Sequence, residues 1–510
     1  MNFRTSELQN FRTSPCGEAA RYRRIRLLTG GVIPFVLAAA LLAFARWSDP
    51  SWESGEQTAG ICRELIAGTT EGRQALFGSC WVAPLPVLFY LPFAWLLPEP
   101  LAGWGAFFVA WLFVFWCVRE ALKSADPSGW RIATVQAALA AWLMLGRNAE
   151  IMQVPAALTL GLMMLAAAGL AWWIERRKTR DIVSTAAAAA GLVMCGFPVF
   201  APATLAVVCL PLAALGHRDT RKRFPAWLLL GGLPLVYAFS VWMLMNRLML
   251  GDSLFFLRSL NYLMPEKLTI ASPNYGQMFI IALFMPALIL LPALILTWWK
   301  DSRVKNPGAG AVPAVAAMIS LALAVAAYAH IFLVFGIDWP VMLLHATALA
   351  ILFLTFGRLG RVWWLRIPAL AVLVYFGREV IKPAAVTVTD NRAEICRDVE
   401  SYVNARTPYG RVFAMGYAGM DLLRGYKGER LLPNLDLQLT TLRRNYKGQN
   451  LYVLVPNPVG VNRAESVFWR YPEIYALGTD RLILRGTFGS WRLFELIAAP
   501  TQEQLDEWKR

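Results

Sequence analysis

One short acidic stretch holds the side chains best suited to proton chemistry. Ser-Asp-Pro-Ser-Trp-Glu-Ser-Gly-Glu (48–56) sets three carboxylates, Asp49, Glu53 and Glu56, directly after a long apolar run. A carboxylate beside a hydroxyl nucleophile can take its proton, and two together can hold a divalent metal. Asp49 and Glu53 are four apart, the spacing of neighbours on one helix face, although Pro50 can break that geometry. The same pattern also suits an ordinary solvated loop. Cys62 and Cys80 share the segment 48–80. They could close a disulfide in an oxidising compartment or remain two reduced, buried thiols.

Cations come next. Leu-Gly-Arg-Asn-Ala-Glu places Arg147 and Glu150 between two apolar runs. A guanidinium fork fits a phosphate, and an Arg147–Glu150 pair fits an interfacial turn. The stretch 246–259 sets Arg247, Asp252 and Arg258 among Leu and Phe, with Lys267 beyond. Such a segment lies in a membrane interface with its cations near lipid phosphates, or binds the phosphate of a lipid-linked substrate. His330, Asp338 and His345 bracket a later turn. A metal or proton-relay site there is conceivable, but no fixed ligand spacing supports it. There is no CxxC or Cys/His cluster, so no metal site is assigned, and a divalent ion remains an option only for the carboxylates.

The elements that must hold these groups are mostly apolar helices. Of 510 residues, 57% are hydrophobic and only 16% charged, against roughly 25% charged in an ordinary soluble domain. One soluble core cannot absorb that surface, so a bilayer is expected to solvate it. Apolar runs begin at Leu27–Trp47 and continue near 101–118, 131–146, 151–174, 182–196, 199–215, 226–246, 277–299, 312–335, 339–356 and 366–381. The run 82–97 contains Pro84, Pro86 and Pro92 and reads as a re-entrant or interfacial piece. The remaining runs predict eleven spans. With the N-terminus inside, inner segments carry 23 Lys and Arg and short outer segments carry 6. This follows the positive-inside rule, and counting 82–97 as a span would invert it. The net charge of +16 thus reports topology, and no basic, aromatic-interleaved stripe suggests nucleic acid.

Three regions follow: a polar, disordered cytoplasmic tail (1–26), a membrane domain (27–382) with an acidic first outer loop (48–80), and an extracytoplasmic domain (383–510). In the last, Val412–Met415, Leu451–Val455, Leu482–Leu484 and Trp491–Leu496 read as strands. Glu394–Ala405, Asp436–Asn445 and Ala464–Tyr471 read as helices, so the domain is expected to be a small α/β fold. It has no GxGxxG, P-loop or GxSxG.

The layout resembles the GT-C class of membrane glycosyltransferases, which includes protein O-mannosyltransferases, oligosaccharyltransferases and aminoarabinose transferases. The shared features are the acidic first outer loop, Ala-Pro-Leu-Pro-Val-Leu-Phe-Tyr-Leu (83–91), the Arg-Asn-Ala-Glu turn, Cys-Gly-Phe-Pro (195–198), Gly-Asp-Ser-Leu-Phe-Phe-Leu (251–257) and the outer C-terminal domain with Tyr-Val-Leu-Val-Pro (452–456) and Trp-Arg-Leu-Phe (491–494). The resemblance implies an enzyme of the bacterial inner membrane. It would move a sugar from a polyprenyl-phosphate donor to a glycan, lipid or protein acceptor outside the cell. Asp49 matches the family's catalytic carboxylate by position, and Arg147 and Glu150 match its second polar turn. The usual adjacent acidic pair is missing, so Glu53 or Glu56 could be the base instead. Arg147, Arg258, Arg247 and Lys267 would face the donor phosphate, with Glu150, Asp252, His330 and Asp338 in support. A non-catalytic subunit of an envelope machine and a lipid or glycan transporter are the rival expectations.

Overall fold

A computed structural model describes residues 28–48, 56–79, 82, 84–122, 129–145, 153–176, 178–195, 223–256 and, with short breaks between 408 and 470, 391–497. The runs expected at 199–215 and from 277 to 381 lie outside the described residues, as does the tail 1–26.

The first part is helical. A π turn, Leu28–Val32, leads into α1 (Ile33–Ser48). Two short helices follow, α2 (Glu56–Ile66) and α3 (Thr70–Phe77). Gly68, at φ 73°, turns the chain between them. Thr69 then caps α3, its side chain accepting from Gly72 N at 3.1 Å, so one orphan donor of the first turn is satisfied. Next come α4 (Pro84–Leu96), α5 (Leu101–Leu122), α6 (Gly129–Leu145), α7 (Val154–Arg176), α8 (Thr179–Val193) and α9 (Phe224–Leu250). Each apolar run expected within the described residues is thus a helix. Within 82–97, Pro84–Leu96 is a helix as well, with Pro84 and Pro86 in its first turn and only Pro92 inside. Its 13 residues reach about 20 Å, less than the ~30 Å of a bilayer's hydrocarbon core.

Small residues let these helices approach closely. A Cβ at Gly161 of α7 would stand 2.5 Å from the Phe113 ring of α5. One at Gly169 would stand 2.4 Å from Thr185 Oγ1 of α8. Among the described residues two stretches are long and apolar enough to cross a membrane, Leu101–Glu120 and Phe224–Leu250, with mean hydropathies of 2.0 and 1.9. The second is only 17% buried, leaving Leu229, Leu233, Val236, Tyr237 and Leu248 exposed on α9.

The C-terminal part is an α/β unit. Helix α10 (Arg392–Arg406) precedes β1 (Arg411–Met415), α11 (Gly416–Leu422), β2 (Leu431–Asn434), β3 (Leu451–Val455), α12 (Ile474–Leu477), β4 (Leu482–Phe488) and β5 (Trp491–Leu496). The sheet order is β2-β1-β3-β5-β4, with β1 parallel to both neighbours and β5 antiparallel to β3 and β4. Successive side chains of β1 and β3 enter opposite layers, as the two-residue strand period requires. Phe413, Met415, Val453 and Val455 join Leu437, Leu442 and Phe468 on one face. Val412, Ala414, Tyr452 and Leu454 join Ile395, Val399 and Val403 of α10 on the other. The four strands read from the sequence are all present, and β4 extends further than expected. Strand β2 is an addition. The helices expected at 436–445 and 464–471 are described only in fragments.

The two parts share a core: Tyr417, Met420 and Leu435 pack into the same apolar cluster as α2 to α8.

Candidate functional site

The segment 48–80 meets the sheet through α2 and α3. Gly60 of α2 lies so close to α11 that a Cβ would stand 2.8 Å from Met420 O. The Tyr417 hydroxyl donates to Ala75 O of α3 at 3.2 Å. Arg63 donates to Leu423 O just beyond α11. At the other end of α3, both Trp242 Nε1 and Asn246 Nδ2 of α9 donate to Phe77 O at 2.9 Å. Helix α3 is therefore tied to both the helical bundle and the sheet.

Beside this seam lies a cavity of about 620 Å³, within the ~300–1,000 Å³ usual for small-ligand sites. One wall carries Arg63, Glu64, Glu71 and Gln74 of α2 and α3. The other carries every residue from Leu431 to Leu435. A face of a strand shows alternate residues only, so lining by five in a row places the cavity along the open edge of β2. The Phe413 and Tyr446 rings close its floor, 5.2 Å apart between centroids. Arg411 sits 5.4 Å over the Tyr446 ring and donates to Gln449 at 3.0 Å, which fixes that ring.

The charges of the first wall are largely committed. Arg63 Nη2 donates to Glu64 Oε1 at 3.0 Å, and Nη1 serves Leu423 O. Glu64 Oε2 accepts from Thr69 Oγ1 at 3.1 Å. Glu71 accepts from Thr70 Oγ1 at 2.8 Å and is half-buried. Asn434 Oδ1 is buried without a hydrogen-bond partner among the described residues. Burial, with the Glu400 carboxylate nearby, pushes Tyr426 up to about 12, so at neutral pH it stays a hydroxyl donor on the cavity wall.

The position where a parallel α/β sheet most often takes a ligand is closed. At the carboxyl end of β1, Glu465 accepts from Tyr417 N and Ala418 N, each at 3.0 Å. Gly416 adopts φ 75° there, and a Cβ would stand 2.2 Å from Glu465 Oε2. Burial pushes Glu465 up to about 7 against the opposing pull of the two N–H groups.

The residues expected to do chemistry are distributed unevenly. Asp49, Glu53, Arg147, Glu150, Arg258, Lys267, His330, Asp338 and Cys80 lie outside the described residues. Glu56 is the first residue of α2, ten residues before its end at Ile66. Arg247 donates to Gly251 O and so closes the C-terminus of its own helix. Asp252 Oδ1 accepts from Leu254 N at 3.0 Å in the following turn. Cys62 is a free, buried thiol, its Sγ 3.5 Å from Val87 O of α4. Burial pushes it up to about 12, which keeps it protonated and inert. Among the described residues no group of three or more His, Cys, Asp or Glu could hold a metal ion.

The sequence expectation singled out the segment 48–80 but not Arg63, Glu64, Glu71 and Gln74 within it, which line the cavity. Thr69, followed by Glu71 and preceded by Gly68, was the available signal of a capped second helix. Asn434 had no such signal, because it belongs to no motif and follows a Pro in a four-residue run. Compared with known proteins, the sequence matches no family model and no curated sequence.

Proposed function

We propose that the chain is a multi-pass membrane glycosyltransferase of GT-C type, moving a sugar from a polyprenyl-phosphate donor to an extracytoplasmic acceptor. The observation that carries this reading is the folding of the acidic segment's continuation, α2 and α3, into a wedge between the helical bundle and the C-terminal domain, bordering a polar cavity. An enzyme joining a lipid-borne donor to a water-borne acceptor needs its chemistry at such a junction. The apolar exterior of α9 supports immersion in lipid, since an aqueous surface rarely leaves so long an apolar stretch uncovered.

In this mechanism Asp49, or Glu53 or Glu56 beside it, removes the acceptor hydroxyl's proton as the oxygen attacks the anomeric carbon. The glycosidic bond to phosphate breaks, and Arg147 or Arg258 stabilises the departing polyprenyl phosphate. A single displacement inverts the anomeric configuration. Protein reconstituted in vesicles with a polyprenyl-phosphate sugar tests this. The combined variant Asp49→Asn, Glu53→Gln and Glu56→Gln is expected to lose transfer by roughly 100-fold or more. Transfer at the wild-type rate in that variant would sink the mechanism.

A non-catalytic subunit is the second reading. It is favoured by one observation: both oxygens of Glu64, the buried carboxylate of the cavity wall, already accept internal hydrogen bonds, from Arg63 and Thr69. A scaffold would show stable partner proteins and no response to the three substitutions.

A further inference from the structure

We infer that the cavity between α2–α3 and β2 binds a neutral oligosaccharide, and hence that the acceptor is a glycan. The assignment rests on the transferase reading for the word acceptor, but the binding site stands on its own geometry.

The lining excludes other ligand classes in turn. A phosphate or other anion needs available cations, and Arg63, the one cation among the described lining residues, is held by Leu423 O and Glu64. A lipid chain needs an apolar trough, whereas Glu71, Gln74, Asn434 and Asn445 all line this space. An extended peptide would add to the open edge of β2 through main-chain hydrogen bonds. Pro433, central in that edge, has no N–H to give, and the sheet tolerates it because among the described residues no strand lies on the far side of β2.

A sugar meets the remaining chemistry. Its hydroxyls both donate and accept, which matches side-chain amides, a carboxylate and the Tyr426 hydroxyl. Asn434 Oδ1, buried and without a partner among the described residues, is the costly feature that a hydroxyl donor would relieve. The Phe413–Tyr446 pair supplies an apolar surface for the C–H face of a ring. The cavity's volume leaves room for several sugar units rather than one.

The test uses the full chain in detergent micelles without donor, titrated with chitotriose, cellotriose and mannotriose by saturation-transfer NMR. At least one trisaccharide is expected to bind. Gln74→Ala and Asn434→Ala, on opposite walls, should each weaken it about fivefold. Glu473→Gln, on an exposed surface, should leave it unchanged. Gln74 is a half-buried helix residue whose side chain has no described hydrogen bond, so its variant keeps the test valid if Asn434→Ala fails to fold. Binding of none of the three sugars overturns the proposal. So does binding that ignores both substitutions, or an alanine pentapeptide that binds in their place. The transfer assay is a separate readout. Sugar binding without any transfer counts against the transferase while supporting the cavity, and transfer insensitive to both cavity variants removes the cavity as acceptor site.

Discussion

Glu465 shows how one buried carboxyl can join distant pieces of chain. It reaches from the segment after β3 to the two N–H groups that open α11, and the missing Cβ of Gly416 leaves room for its oxygens. Its pH dependence has a definite sign. The unfolded chain ionises a Glu near 4.5, and the folded one ionises Glu465 near 7. The protonated form is favoured by folding, so this contribution is complete below 4.5 and is lost as pH rises toward and through 7. Relative to Glu465→Gln, the wild type should therefore lose thermal stability between pH 4.5 and 7, and the difference should level off above. Melting followed by Trp fluorescence at pH 5 and pH 7.5 measures this, and an unchanged gap between the two proteins would refute it. None of this was legible in the sequence. Glu465 lies 48 positions from Tyr417 and carries no motif.

Among the elements, α2 and α11 depend on one residue without a side chain. Gly60→Leu would push against Met420 O, a backbone atom that cannot swing aside. The expected result is a C-terminal domain that parts from α2, with trypsin cutting after Arg424 and Arg430 at least several times faster than in wild type. An unaltered digestion pattern would mean that the seam is held elsewhere, for example by Tyr417 and Ala75. Elements built on local pattern were readable in advance: β3 is buried at all five positions and is a plain apolar run in the sequence. Strand β2 was not readable, since a four-residue run with a central Pro becomes a strand only where β1 already offers a partner on one side.

The molecule as a whole is proposed to sit with its charges sorted across a bilayer. That orientation puts Lys178, between α7 and α8, inside the cell and Ser401, on α10, outside. Both are exposed, while Cys62, Cys117, Cys195 and Cys396 are buried. In a background with Cys16, Cys80 and Cys209 replaced by Ser, an impermeant maleimide applied to intact cells should label Ser401→Cys and spare Lys178→Cys until the cells are opened. The reverse pattern would invert the topology and move α2, α3 and the cavity to the cytoplasmic side.

The helical character of the first part and the α/β character of the last follow from the order of the residues alone. Hydrophobic length and period act within a few residues, so they survive without tertiary context. The sequence also singled out 48–80 as the segment to watch, through acidic residues set against an apolar run. Long-range packing settles that Arg63 reaches Leu423 O and that Gln74 and Asn434 line one cavity, whereas the Arg63–Glu64 pair and the turn closed by Arg247 and Asp252 join near neighbours in the chain. The long-range outcomes depend on partners from elsewhere in the chain, and 360 residues separate Arg63 from Leu423. Spacing along the chain cannot report a pairing of that range, whereas burial enforces it, because an unmatched polar group away from water is costly.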